Sequence, residues 1–246
     1  MNRFFVESKN VNEDEITVTG EDVQHISKVL RLRQGDRIML CDGEGTDYLA
    51  EILEIDKHSV RTEIITREPS RSEPDIEVVL YQGIPKAAKM DLIIQKCTEM
   101  GIRRIVPVYT TRTVVKLESE KDERKKVERW AKIAEEAAKQ SGRGAIPTIA
   151  MPVDLAGAFR DASGLDMVIM PYELAGSLSL KELLQKERVK SIGFFIGPEG
   201  GFEAEEVMQA RSIRAMPVTL GKRILRTETA GIAVLTGIMY EYDQLK

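Results

Sequence analysis

Two short stretches near the C-terminus combine glycine, charged and hydroxyl residues at a spacing that suits ligand binding. The first, Gly197-Pro-Glu-Gly-Gly201, follows the apolar run Ile192 to Ile196, and the second extends from Leu220 to Ala230. Each passes from a predicted strand through a glycine-bearing turn to a helix start, a geometry with which parallel α/β proteins hold small ligands. A tight turn that binds nothing explains the glycines of the first stretch equally well.

Basic and hydroxyl side chains concentrate in the second stretch. Lys222, Arg223 and Arg226 place three cations where the predicted strand ends, and Thr227 or Thr229 can cap the helix that follows. A guanidinium such as that of Arg226 can hold a phosphate or stabilise a developing anion through its planar set of donors. The alternative for any single basic residue is a solvated side chain at the surface.

A polar loop in the middle of the chain offers a further group of candidates. Gln140-Ser-Gly-Arg143 ends a long predicted helix and precedes Pro147. Its amide, hydroxyl and guanidinium groups could contact a nucleic-acid base or a phosphate. A helix C-terminal turn built on Gly142 explains the same residues equally well.

Several common classes of site are disfavoured by the sequence. No Gly-x-Gly-x-x-Gly follows a predicted strand and no P-loop Gly-Lys-Ser/Thr is present, which argues against a nucleotide-dependent oxidoreductase or an NTP enzyme. The two histidines, His25 and His58, both lie before residue 73, so the rest of the chain lacks a histidine base for serine or thiol hydrolysis. Cys41 and Cys97 have no partner at metal-ligand spacing, so we expect no metal site and two buried thiols.

The N-terminal part has the pattern of a small β-barrel. Asp42-Gly43-Glu44-Gly45 is typical of a hairpin turn, and a short helix is predicted from Glu21 to Leu30. The predicted strands cover residues 3–7, 15–19, 37–41, 47–55 and 59–66. Residues 67–74 contain two prolines, two serines and no apolar residue, so they are predicted to be an exposed linker, with a domain boundary between residues 72 and 73.

After the linker, apolar runs alternate with helical segments, which indicates an α/β domain with a mostly parallel sheet over residues 73–246. The predicted strands cover residues 76–81, 102–108, 167–170, 192–196 and 217–220. Trp130 lies on an apolar helix stripe and is expected in the core. The last helix, residues 229–242, is broad and apolar, and is interpreted as either core or a dimer face.

Charge and hydrophobicity limit the partners. The formal net charge is −4, and no half of the chain is basic in bulk, so an RNA-binding surface must be a local patch such as Lys28, Arg31, Arg33 and Arg37. The N-terminal apolar run is too short for a signal peptide and no run reaches membrane-spanning length. We therefore expect a cytoplasmic protein without membrane contact.

Taken together, the two C-terminal stretches resemble motifs of the knotted SPOUT-class RNA methyltransferases. More narrowly they resemble the RsmE family, which methylates N3 of a uridine in 16S ribosomal RNA. His25-Ile-Ser-Lys-Val-Leu-Arg31 with Gly35-Asp36 is similar to the PUA-like RNA-binding barrel of that family. Gln95-Lys-Cys-Thr-Glu-Met-Gly101 and Gln140-Ser-Gly-Arg143 match its catalytic domain.

The resemblance implies a fold, a cofactor and partners. The expected fold is an N-terminal PUA-like small β-barrel (residues 1–72) and a C-terminal SPOUT α/β domain (residues 73–246) with a deep trefoil knot, an exception to the usual unknotted connectivity. The cofactor is S-adenosyl-L-methionine, and the partners are 16S rRNA of the small ribosomal subunit and a second copy of the chain. The cofactor-binding residues carried over are Pro171, Tyr172 and Glu173; Gly197, Pro198, Glu199, Gly200 and Gly201; and Leu220, Gly221, Ile224, Leu225 and Arg226.

The resemblance also suggests residue roles. Arg226 or Arg143 is the candidate for charge stabilisation, and Glu199 or Glu228 for the base, with a purely structural Glu199 as the alternative. The candidate RNA-binding residues are Arg3, His25, Lys28, Arg31, Arg33, Gln140 and Arg143. For Arg3 and Arg31 the alternative is that they form only pairs within their own domain.

Two other functions remain open at this point. One is a SPOUT methyltransferase that acts on another RNA, and the other is a non-catalytic RNA-binding factor in ribosome assembly. Identification of the modified nucleotide decides the first, and binding of S-adenosylmethionine decides the second.

Overall fold

The computed structural model describes residues 3–115, 119–173, 176 and 178–245. These fall into two compact units. The first contains the chain up to Glu73 together with Ala138–Ile146, and the second contains Pro74–Ala137 and the chain from Pro147 onward. The single division predicted after residue 72 does not include this return of the chain to the first unit.

The first unit is built on a five-stranded mixed sheet. Its strands are β1 (Arg3–Phe5), β2 (Glu15–Thr19), β3 (Arg37–Cys41), β4 (Thr46–Ile55) and β5 (Ser59–Pro69). They are ordered β1-β3-β4-β5-β2, with β1 parallel to β3 and the other pairs antiparallel. Along β4, Tyr48, Ala50 and Ile52 are buried at every second position, so one face of the sheet packs on the core of the unit.

The predicted helix of the first unit is shorter and wider than expected. An α-helical turn, α1 (Glu21–Gln24), continues as a π-helical turn through His25–Val29. Arg31 then adopts a positive φ of 55°, and the Leu32 amide donates to the carbonyl oxygen of Ile26 (3.0 Å), which ends the helix. The sequence pattern indicated a helix here but carried no signal for the wider turn.

The exposed linker predicted over residues 67–74 is wrong at its start. Strand β4 is long enough to pair with β5 as far as Pro69, and Ser70 is buried, with its amide donating to the carbonyl oxygen of Gly45 (2.8 Å). Proline is tolerated there because it ends a strand and needs no ladder donor.

The second unit contains a parallel sheet. Its strands are β6 (Glu77–Gly83), β7 (Arg104–Tyr109), β8 (Thr148–Ile149), β9 (Val153–Asp154), β10 (Met167–Pro171), β11 (Ser191–Ile196) and β12 (Met216–Val218). The order is β12-β10-β11-β6-β7-β8, with β9 also on β7, and every pairing is parallel. The strands are nearly continuous apolar runs because both faces of the sheet are covered.

The other α-helices of the described residues are α2 (Lys89–Glu99), α3 (Glu120–Ser141), α4 (Leu155–Ala162), α5 (Leu180–Leu184), α6 (Ala204–Ala210) and α7 (Thr227–Glu241). Trp130 on α3 is buried, as predicted. Cys41 and Cys97 are also buried, and burial raises the pKa of the Cys97 thiol to about 12. Among the described residues, no helix is long and apolar enough to cross a bilayer. The two sheets confirm the predicted fold class, and the knot stays a prediction.

Candidate active site

The sheet of the second unit brings the predicted ligand loops to one edge. Strands β12, β10 and β11 are adjacent and parallel, so residues 171–173, 197–201 and 219–226 all follow carboxyl ends at the same side. Strand β6 lies next to β11, with Ile196 opposite Gln82, so the loop after Gly83 joins them. Ligands of open α/β sheets bind outside the carboxyl ends of strands.

The turn from Gly197 to Gly201 is packed backbone against backbone. A Cβ atom on Gly197 would lie 2.9 Å from the backbone of Gly201, and one on Gly83 would lie 2.5 Å from Pro198 Cδ. The Arg112 side chain lies across the turn and donates to the carbonyl oxygen of Gly200. These glycines are therefore required for close approach, whatever the turn binds.

Glu199 is engaged in holding this turn. Its Oε1 accepts from the Lys86 amide (3.0 Å) and from Lys89 Nζ (2.9 Å). Burial alone would raise the pKa of Glu199, but the hydrogen bonds from Lys89 and from backbone amides hold it below the usual value. The pKa of Lys89 is raised, chiefly by its hydrogen bond to Glu199. Both groups are charged at neutral pH, and this favours the structural interpretation of Glu199.

Glu228 occupies a different position, in the first turn of α7. Its Oε2 lies 3.7 Å from Lys89 Nζ and is buried without a hydrogen-bond partner among the described residues. The ammonium group and the N-terminal end of the helix both favour a negative charge at this site. Lys89, which sequence reasoning missed, thus lies between the two candidate bases.

The loop from Leu220 to Arg226 keeps its backbone donors available. Within the described chain, the one amide of this loop that donates an intramolecular hydrogen bond is that of Gly221, to Thr219 Oγ1 (3.1 Å). The side chain of Ile224 is 85% exposed, and Arg226 is exposed at the start of α7. A loop of this kind can bind the polar edge of a ligand through its backbone.

The third loop starts at Pro171. The Tyr172 amide donates to the carbonyl oxygen of Val218 (3.0 Å), so β10 and β12 end together, and Glu173 beyond it is exposed. The half-buried Tyr172 also lines a cavity of about 400 Å³ beside α6, with Val207 and Met208.

Comparison with known proteins identifies the family. Residues 72–239 match the RNA methyltransferase domain, and residues 18–65 match the RNA methyltransferase PUA domain. Ribosomal RNA small subunit methyltransferase E of Bacillus subtilis is 34% identical over 254 residues, which cover 100% of this chain and 99% of the relative. The chain belongs to the ribosomal RNA small subunit methyltransferase E family.

Two further methyltransferases E show the same full-length similarity. The enzyme from Mesomycoplasma hyopneumoniae is 33% identical, and the match covers 96% of this chain and 98% of that enzyme. The crystal structure of the Neisseria gonorrhoeae enzyme bound to S-adenosyl methionine has 31% identity, a TM-score of 0.81, and coverage of 98% and 97%. Both units of the chain therefore have counterparts in these methyltransferases.

In this member of the methyltransferase E family, Arg143 lies in the first unit. Its side chain is 4% exposed, and its Nη2 donates to Glu73 Oε2 at 2.6 Å. Glu73 Oε1 also accepts from the amides of Gly144 and Ala145, and the φ of Gly142 is +72°, with the Arg143 amide bonded to Ala138 O. The helix C-terminal turn explains the conformation of this loop, and Arg143 is buried there against Glu73, while its role in catalysis or RNA binding stays a prediction.

Arg3 is occupied in the same unit. It forms an ion pair with Asp47 and donates to the carbonyl oxygen of Gly142 (2.9 Å) and to Ser70 Oγ (3.0 Å). The alternative that Arg3 forms pairs within its own domain therefore describes it best. Its guanidinium is not available as a free cation for RNA.

The other candidate RNA-binding residues of the methyltransferase are at the surface. His25, Lys28, Arg31, Arg33 and Gln140 are all exposed. Arg31 forms no ion pair with any residue that the structure describes, which disagrees with the alternative of an intradomain pair. The helix and the turn that follows it thus carry a small cationic surface, as the local-patch argument predicts.

Proposed function

We propose that this chain is an S-adenosylmethionine-dependent methyltransferase that methylates N3 of a uridine in the 16S rRNA of the small ribosomal subunit. The observation that carries the proposal is that β10, β11 and β12 end at the same edge of the sheet, where the three loops begin. Full-length relatives are methyltransferases of small-subunit ribosomal RNA, and a related structure is bound to S-adenosyl methionine. We place the protein in the cytoplasm, where small subunits are assembled.

The loops fit an adenosyl cofactor in chemical terms. Backbone groups between Leu220 and Arg226 that form no hydrogen bond within the described chain can pair with the adenine edge, and the open space beside Gly201, where an added Cβ atom would meet nothing within 4 Å, can take the ribose and methionine parts. Pro171, Tyr172 and Glu173 would close the third side. S-adenosylmethionine, when bound, supplies a methyl group that its sulfonium has already activated.

The residues of this chain then have to prepare the base. Uridine N3 carries a proton that is engaged in pairing within duplex RNA, so the target must be unpaired or extruded. Loss of this proton gives an anion, which the exposed guanidinium of Arg226 is placed to stabilise. Glu228 is the better candidate to accept the proton, because its Oε2 accepts no hydrogen bond among the described residues, whereas Glu199 accepts hydrogen bonds from Lys89 and from the Lys86 amide.

Two surfaces serve the partners. His25, Lys28, Arg31 and Arg33, with Gln140, are assigned to the RNA backbone, so binding should weaken as salt is raised. Helix α7 is assigned to a homodimer contact, because it is apolar on most sides and yet leaves Tyr240 73% exposed.

Transfer of labelled methyl groups tests the proposal. Small subunits from cells that lack this modification should accept label from S-adenosylmethionine in the presence of the protein. Transfer RNA and free 16S rRNA serve as competing substrates. Label on transfer RNA alone would favour a related enzyme with another target, and cofactor binding without transfer to any RNA would favour a non-catalytic factor.

A further inference from the structure

A buried amide lies directly behind the glycine turn. Gln82 is fully buried near the end of β6, after the apolar residues Val78 to Tyr81. Its Nε2 donates to Gly83 O (2.9 Å) and to Thr227 Oγ1 (2.9 Å), and the Thr227 hydroxyl donates to Gly197 O (2.6 Å). The two side chains join the end of β6, the turn after β11 and the first residue of α7.

The direction of these hydrogen bonds follows from the groups present. The Thr227 hydroxyl has one hydrogen, which it gives to the carbonyl oxygen of Gly197, so its oxygen must accept from Gln82. A flipped Gln82 amide would set its own oxygen against the carbonyl of Gly83. The amide and hydroxyl therefore form a polarised chain that ends on Gly197.

Gln82 is a destabilising residue for the buried part of a strand. Its Oε1 is buried and has no hydrogen-bond partner among the described residues, which is destabilising. An apolar side chain of similar size would avoid this penalty. Such a side chain would lack the N–H donors that bond Gly83 O and Thr227 Oγ1. It would also lack the longer contact of 3.5 Å between Gln82 Nε2 and Gly197 O.

The conformation of Gly197 matters because nothing nearby can absorb a change in it. The peptide between Gly197 and Pro198 is wedged against the backbone of Gly201 on one side and Gly83 on the other. Thr227 also follows Arg226 directly in the chain. A single chain of hydrogen bonds thus sets the glycine turn and the end of the 220–226 loop together.

We propose that Gln82 and Thr227 are positioning residues, which hold the Gly197 turn and the start of α7 in the geometry that binds S-adenosylmethionine. They do so without contacting the cofactor, and the inference rests on the proposed function. Neither residue belongs to the three loops assigned to the cofactor from the sequence.

Calorimetric titration of the full-length protein with S-adenosylmethionine tests this. Thr227→Val keeps the shape of the side chain and removes the hydroxyl, so the dissociation constant should rise about tenfold. Thr227→Ser keeps the hydroxyl and should stay within about twofold of wild type. Gln82→Met removes the donors but leaves Thr227 in place, and should weaken binding in the same direction.

A matched control is available on the same helix. Thr236 donates its hydroxyl to Ile232 O (2.8 Å) within α7, so Thr236→Val makes the same chemical change away from the turn and should bind normally. In steady-state assays, Thr227→Val should raise the KM for S-adenosylmethionine and leave the KM for the RNA unchanged. Wild-type affinity in both Thr227→Val and Gln82→Met would overturn the inference alone, whereas a wild-type protein that does not bind S-adenosylmethionine would overturn the proposed function.

Discussion

At the scale of single residues, the charged groups around the glycine turn divide by what they contact. Hydrogen bonds at the turn engage three of them, Glu199, Lys89 and Arg112. Arg226, in contrast, is exposed to solvent at the start of α7. Glu228 is distinguished by its unbonded, buried oxygen. An exposed guanidinium next to the assigned cofactor loop is the group best placed to stabilise a base anion.

Arg226→Ala should therefore separate binding from chemistry. The cofactor is assigned to backbone groups of this loop, so affinity for S-adenosylmethionine should be kept, while the rate constant for methyl transfer falls about a hundredfold. Arg223→Ala removes an exposed arginine three residues earlier and is the matched control, with near wild-type transfer expected. Full transfer by Arg226→Ala at saturating cofactor would remove this side chain from the chemistry.

Local sequence patterns indicated the turns at this edge of the sheet but not the residues that support them. Glycine turns and the apolar runs before them are local patterns, and they led directly to Gly197–Gly201 and Leu220–Arg226. Gln82 and Lys89 form hydrogen bonds with residues more than one hundred positions away, so no local sequence pattern predicts their role. The one available signal for Gln82 was a polar residue directly after the apolar run from Val78 to Tyr81.

At the scale of secondary-structure elements, ten of the twelve strands that the structure describes were predicted within a few residues, because alternation and apolar runs report burial directly, whereas the two-residue strands β8 and β9 were missed. The extension of β5 to Pro69 was missed because it depends on pairing with β4, and the π-helical turn at His25–Val29 was missed because the helical spacing carries no signal for a wider turn. The clasp of residues 142–145 on Glu73 was missed for the same reason.

That clasp gives a stability prediction. Glu73→Gln would remove the carboxylate that pairs with the buried guanidinium of Arg143, so the free energy of unfolding should fall by about 3 kcal/mol. Glu68 pairs with Arg71 at the surface, so Glu68→Gln should change the free energy of unfolding by about 0.5 kcal/mol or less. Urea unfolding followed by circular dichroism at pH 7 measures both variants.

The difference should also depend on pH. Burial raises the pKa of Glu73, but Arg143 and two backbone amides lower it more, so its pKa in the folded protein is below 4.5. A carboxyl with a depressed pKa stabilises the fold above its unfolded pKa and loses this contribution as pH falls through the folded value. The free energies of unfolding of the wild type and of Glu73→Gln should therefore become similar in acid. An equal difference between them at pH 7 and at the lowest pH where both fold would contradict a stabilising ion pair between Glu73 and Arg143.

At the scale of the whole molecule, the α7 surface predicts a dimer. A helix that is apolar on most sides is normally buried on most sides, so the exposed Tyr240 should be covered in solution. Light scattering should give twice the 27.6 kDa of one chain for the wild type. Tyr240→Glu should shift the mass toward one chain, while Met208→Glu, at an equally exposed apolar position on α6, should not. A wild-type mass of 27.6 kDa would contradict the dimer.

Nucleoside analysis identifies the atom of the RNA that receives the methyl group. Small-subunit rRNA treated with the protein and labelled S-adenosylmethionine is digested to nucleosides and separated by chromatography with mass detection. We predict that the label is found in 3-methyluridine and that Arg226→Ala reduces it in proportion to its transfer rate. Label found instead in a ribose-methylated nucleoside or in 5-methyluridine would contradict the account.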